Sequence, residues 1–177
     1  EKVAPRAYET ARNRHCGVTS GGWDIIINNS SLIMESYFQK FTRTINKWIG
    51  KSVDYDKAYW SQCVDFARQY CADLWTPIGT FSGSAFKWWQ TGSPFNVRWE
   101  RIIRYENFPS AWSVVFFAPT KNNLYGHVAI ADNGCTESVL KIIEQNAGSG
   151  NWDWKWNNTI RKRTTNYKNC LGWYTHF

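Results

Sequence analysis

Long apolar runs are missing from this chain, and no segment is apolar for long enough to cross a bilayer as a helix. Zinc-type spacing is missing as well. The five cysteines fall at 16, 63, 71, 135 and 170, and His15-Cys16 alone supplies too few ligands for a structural zinc. No RNA- or DNA-binding signature is present, so nucleic acid is not an expected partner. No export signal is visible. No internal repeat or low-complexity linker interrupts the 177 residues, a length that suits one domain with an N-terminal appendage.

Aromatic side chains are abundant: 12 Trp, 9 Tyr and 10 Phe. Rings of this size are costly to leave wet, so the expectation is a Trp-rich core. A few exposed rings remain to stack on sugars or dock on a partner. The net charge of +7, from 21 basic and 14 acidic side chains, favours attraction to a polyanionic matrix. The densest basic run, Arg161-Lys162-Arg163, lies in an alternating segment and reads as a solvated strand face. Cys16, Cys71, Cys135 and Cys170 read as buried free thiols, with one disulfide among them left open.

Periodicity divides the chain in two. Met34, Tyr37, Phe38, Phe41, Ile45 and Trp48 recur every three or four residues, a helical stripe that Gly50 would stop. A second helix is expected near residues 61–74, with Cys63, Phe66, Ala67, Tyr70 and Leu74 inward, and a short third one follows Ser82-Gly83-Ser84. Beyond Pro94 the period becomes two. Strands are expected around Val97–Arg101, Ser113–Phe117, His127–Asp132, Val139–Glu144, Thr159–Arg163 and Leu171–Thr175. Asp132-Asn133-Gly134 reads as a hairpin between the third and fourth. Helices first and an antiparallel sheet afterwards give an α+β class. Trp152, Trp154 and Trp156 alternate with polar neighbours and are candidate substrate-binding rings.

The chemistry centres on Cys63, where Ser61-Gln62-Cys63-Val64-Asp65 runs from a polar turn into a helix. A thiolate, not a thiol, attacks a carbonyl carbon, and the positive end of a helix dipole favours the thiolate. His127 supplies the proton carrier and Glu144, on a neighbouring strand, a group to hold its tautomer. Asn146, two residues on, would share a face with Glu144 in an extended segment and orient a water, the histidine or the substrate. Gln62 and the Cys63 N–H are candidate donors to an oxyanion. Asp54, Asp56 and Asp65 crowd three carboxylates near the nucleophile, and Asp-x-Asp opening a turn is similar to the start of an EF-hand loop.

Tyr59-Trp60-Ser61-Gln62-Cys63-Val64-Asp65, Tyr125-Gly126-His127-Val128-Ala129-Ile130 and Ile142-Ile143-Glu144-Gln145-Asn146, in that order, resemble the CHAP family of cysteine/histidine-dependent amidohydrolases and peptidases. Ser113–Phe117 resembles the strand before the family's histidine, although Ala111-Trp112-Ser113 replaces the usual Gly-Asp opening, and Leu171–Tyr174 resembles its closing strand. The likeness covers residues 45–177, and the domain boundaries read as an N-terminal extension over 1–45 and a catalytic domain over 46–177.

The resemblance implies a papain-like (NlpC/P60-type) fold with helices packed on an antiparallel sheet. It also implies Cys63, His127, Glu144 and Asn146 as the catalytic set and bacterial peptidoglycan as substrate. The bond cut would be the N-acetylmuramoyl–L-alanine amide or a peptide bond of the stem or cross-bridge. Structural calcium is implied on the carboxylates of Asp54, Asp56 and Asp65 and the carbonyls of Ala58 and Trp60, with Lys57 standing where such loops often carry Gly. Anionic wall polymers and further domains of a longer lysin or virion protein are the other expected partners. The expected place of action is the bacterial wall, from a virion-associated lysin or an endolysin. Two alternatives share the residues: a cysteine transferase on the same scaffold, and a non-catalytic glycan-binding module.

Overall fold

In a computed structural model of the protein, the described residues are 38–74, 76, 78–79, 83–95, 98–104, 107–147 and 158–176. Contacts group Gln39–Phe177 into one compact unit. The helical stripe is seen over 38–48 (α1), where Phe41, Thr44 and Ile45 are buried. Gly50, with φ of 78°, ends that segment. Its N–H donates to Ile160 O, and Ile160 N–H returns a bond to Lys51 O.

The second helix, α2, spans Cys63–Asp73 and buries Val64, Phe66, Ala67, Tyr70 and Cys71. It starts where it does because Gln62 is extended and its N–H is accepted by the Asp65 carboxylate at 2.7 Å. The third helix, α3, spans Ala85–Thr91, capped by Ser84 at one end and by left-handed Gly92 at the other. It buries Trp88 and Trp89.

Among the described residues six strands follow: β1 Trp99–Ile103, β2 Val114–Phe117, β3 His127–Ala131, β4 Leu140–Glu144, β5 Arg161–Thr165 and β6 Cys170–His176. They form one antiparallel sheet in the order β1-β6-β2-β3-β4-β5, which gives the expected α+β architecture. The central strands are apolar throughout because both faces are covered. Val114, Phe116, Val128, Ile130 and Ile143 join the helices in one core, and Val115, Ala129, Ala131, Ile142 and Trp173 build a second on the other face. The Trp-rich core is present in Trp88, Trp89, Trp99 and Trp173. Cys63, Cys71, Cys135 and Cys170 are free thiols, and Cys16 lies outside the described residues.

β3 and β4 pair as the anticipated antiparallel hairpin, and residues 132–139 connect them. The Cys135 thiol lies inside that connection, accepting from Lys141 N–H and bonding to the Asp132 and Lys141 carbonyls. Trp112, at the point where Gly-Asp is replaced, adopts φ of 72°, the conformation a glycine takes without strain. Among the described residues, no helix is long and apolar enough to cross a membrane.

Gly126 sets the entry to β3. Its φ is 69°, and a Cβ there would come within 2.8 Å of Phe117 O and 3.0 Å of Phe86 Cβ. We therefore expect Gly126→Ala to cost about 1–3 kcal/mol of stability through backbone strain and the clash. Thermal denaturation measures this, and an unchanged melting temperature would show that the backbone relaxes freely at this point.

Candidate active site

Three side chains from three elements meet at one end of the sheet. Cys63 is the first residue of α2, His127 the first of β3 and Glu144 the last of β4. His127 Nε2 lies 3.1 Å from Glu144 Oε2, and the Cys63 side chain is close enough to the ring to help raise its pKa. With Nε2 committed to the carboxylate, Nδ1 is the nitrogen left for sulfur. The Phe117 ring lies 5.9 Å from the imidazole, centroid to centroid.

Electrostatics follow from this packing. Burial acts to lower the His127 pKa, but the hydrogen bonds to Cys63 and Glu144 and their negative charges outweigh it and raise it to about 9. Glu144 is fully buried. Burial acts to raise its pKa, yet hydrogen bonds from His127 and Arg163 and their positive charges hold it below the ordinary carboxylate value. Arg163 Nη2 donates to Oε2 at 2.9 Å and its Nε lies 2.6 Å from Oε1. Arg161 Nε stands 3.6 Å from Oε1. The basic run read as a solvated strand face is therefore partly engaged: Arg161 and Arg163 turn to Glu144, and Lys162 pairs with Asp132 at 2.9 Å.

Asn146 is not on the expected face. It follows the end of β4, is exposed and has φ of 55°, so strand alternation stops before reaching it. The residue between, Gln145, explains the turn. Its fully buried amide accepts from Val53 N–H and donates to Val53 O and Gln62 O, each at 2.7 Å. Gln145 thus fastens the loop leading to Cys63, a role the sequence reading missed. Arg163 was missed for a related reason. The β4–β5 register pairs Glu144 with Arg161 and Ile142 with Arg163, putting both arginines on the carboxylate's face, and only that pairing exposes the link.

Gln62 is the N-cap of α2, and its side-chain amide donates to Tyr59 O at 3.3 Å. The Cys63 N–H belongs to the first turn, where no carbonyl of the helix is available to it. Ligand oxygens of Asp54, Asp56 and Asp65 all lie within 4.8 Å of one another. Asp54 Oδ1 and Asp65 Oδ1 are buried with no hydrogen-bond partner. Burial pushes the Asp65 carboxyl up to about 6, helped by the charges of Asp56 and Asp54 and opposed by hydrogen bonds from the Gln62 and Tyr55 backbone. Asp56 is partly occupied elsewhere, accepting from Ala58 N–H at 3.0 Å and lying 3.5 Å from Arg68 Nη1. Ala58 and Trp60 lie on the loop above, where Lys57, Tyr59 and Trp60 all take left-handed backbone angles of 60–61°. Trp152, Trp154 and Trp156 lie outside the described residues.

The CHAP domain family model matches residues 53–146, more than half of the chain. The protein belongs to the CHAP domain family. Among solved structures, this CHAP domain is similar to the wild-type endolysin LysIME-EF1, with a TM-score of 0.63 and 20% identity over 79% of this chain and 63% of that one. It is also similar to Ly7917, solved with the hydrolysing product of MDP, with a TM-score of 0.54 and 20% identity over 78% of this chain and 62% of that one. The fold is thereby papain-like, as the resemblance implied, and the chain spans under two thirds of the length of these neighbours. No curated protein sequence matches.

Because folding raises His127 above its ordinary 6.5, its protonated form stabilises the structure fully below that pH. The contribution is lost as pH rises through about 9. We expect an NMR titration of the imidazole to centre near 9, and Glu144→Gln to lower the midpoint by about one unit or more. A midpoint unmoved by the substitution would show that the carboxylate does not govern the ring.

Proposed function

We propose that this domain is a peptidoglycan hydrolase that cuts an amide bond of the wall peptide through a covalent acyl-enzyme. The observation that carries the reading is the continuous contact from Cys63 through His127 to buried Glu144. The chemistry follows from those positions. Cys63 Sγ, as thiolate, attacks the scissile carbonyl carbon while protonated His127 stands beside it. The carbonyl oxygen becomes an oxyanion, and the Cys63 N–H at the start of α2 is placed to donate to it. Gln62 is the second candidate donor once its amide leaves Tyr59 O. Collapse breaks the C–N bond, and His127 gives its proton to the departing amine. Neutral His127 then takes a proton from water, whose oxygen attacks the thioester carbon. The second collapse releases the carboxyl product, and the thiolate–imidazolium pair is restored. Glu144 keeps one ring tautomer throughout. Asn146, exposed after the end of β4, is left to meet substrate or water.

Family membership and the endolysin fold support this reading, and the bond is an N-acetylmuramoyl–L-alanine amide or a stem or cross-bridge peptide. The net charge of +7 suits a wall rich in anionic polymers. A lysin released to the wall or carried on a virion, joined to further domains, fits a chain that spans part of its structural neighbours. A glycan-binding module would have no need of the assembled thiol, imidazole and carboxylate.

Calcium is proposed as a structural ion. The cluster of three carboxylates fits it: two buried oxygens lack partners, and hard oxygen donors are what the ion takes. Asp54, Asp56 and Asp65 would hold it, with the Ala58 and Trp60 carbonyls completing the set. It would neutralise mutual repulsion in the loop that feeds Cys63.

Cys63→Ala is expected to abolish turbidity loss of Gram-positive wall suspensions while leaving folding and wall binding intact. Retained lysis would remove Cys63 as the nucleophile. Mass spectrometry of the released muropeptides would identify the bond through its new termini. Chelation in metal-depleted buffer should lower the melting temperature by several degrees, with recovery on adding calcium. An unchanged melting curve would count against the ion.

A further inference from the structure

We propose that Arg163 is a positioning residue of this site, holding Glu144 ionised and in one orientation through both protonation states of His127. The inference rests on the hydrolase reading, in which the imidazole is charged in one half of the cycle and neutral in the other. Glu144 has no exposed surface. When His127 is neutral, a carboxylate paired with the ring alone would be an uncompensated buried anion, which relieves itself by taking up a proton. A protonated Glu144 would no longer stabilise the imidazolium in the next half-reaction.

Arg163 supplies a charge that does not titrate. Its Nη2 donates to Oε2 at 2.9 Å, and its Nε lies 2.6 Å from Oε1 as an ion pair, although Oε1 itself has no hydrogen-bond partner. Oε2 is the same oxygen that lies 3.1 Å from His127 Nε2, so the two cations share one acceptor. Arg161 does not duplicate this. It is 3.6 Å from Oε1, and its Nη2 donates to Ala147 O at 3.0 Å, tying down the chain after β4. The groups facing His127 are Cys63 from α2, Glu144 from β4 and the Phe117 ring from β2, with the β5 arginines acting through Glu144.

The test compares Arg163→Gln and Arg163→Lys in the wild-type and Glu144→Gln backgrounds. Two readouts are used: kcat and KM for muropeptide release across pH, and the NMR titration of His127, which needs no substrate. Arg163→Gln should lower kcat on the order of tenfold with KM changed less than about twofold. It should also lower the His127 midpoint by about half a pH unit or more, because a Glu144 that has taken up a proton no longer stabilises the imidazolium. A raised midpoint would show that the carboxylate stays ionised without Arg163 and would overturn the proposal. Arg163→Lys should restore most of the titration midpoint, since it keeps the charge, but only part of kcat, since it loses the planar group that holds the carboxylate in one orientation. In the Glu144→Gln background, Arg163→Gln should have no further effect on either readout. Wild-type kcat and midpoint in Arg163→Gln, or equal effects with and without the carboxylate, would overturn the proposal. Should Arg163→Gln not fold, the Lys variant decides it by the same kcat and midpoint comparison. If wild-type protein releases no muropeptide, the hydrolase reading fails, while the titration still decides whether Arg163 acts through Glu144.

Discussion

A carboxylate cut off from water is the constraint around which this site is organised. Glu144 is fully buried, and a buried anion is tolerated only when cations and donors surround it. The sheet order answers that need. β4 lies between β3 and β5, so one neighbour brings His127 and the other brings Arg161 and Arg163. Antiparallel register then fixes which residues meet, pairing Ile143 with Ile130 on one side and Glu144 with Arg161 on the other. The electrostatics of the imidazole are thus a product of strand pairing.

The helix side is organised by a different group. Gln145 turns the chain away from the strand direction and uses its amide on Val53 and Gln62. Those residues bracket the loop that carries Asp54, Asp56 and the strained backbone at Lys57, Tyr59 and Trp60. Adjacent residues, Glu144 and Gln145, therefore face opposite tasks. One sets the charge around His127, and the other sets where the helix that opens with Cys63 begins. Movement in the acidic loop is felt at the Gln62 carbonyl, directly before Cys63.

Much of this was legible in the sequence because the signals were local. Stripes of period three to four gave α1 to α3, and alternation after Pro94 placed all six strands within a few residues. Cys63, His127 and Glu144 were identifiable because each occupies an element terminus marked by its neighbours. Asn146 misled because alternation was carried past the last paired residue of β4, into a segment governed by the Gln145 amide. Asp132-Asn133-Gly134 marked the connection between β3 and β4, though not that it runs over residues 132–139. Arg161 and Arg163 looked like solvent-facing charge, since nothing in β5 itself shows what its partner strand presents. The tryptophans at 152, 154 and 156 fall outside the described residues.

The position of β6 has a consequence for how the molecule is made. This strand comes last in the order of elements, yet it lies between β1 and β2. Until residues 170–176 leave the ribosome, β2 has one unpaired edge and β1 has no neighbour at all. Every side chain of the proposed triad has been synthesised by then, but the sheet that anchors two of them is still open. Pairing β6 with both β1 and β2 is therefore the long-range step that closes the sheet, and it follows the local elements that precede it in the chain.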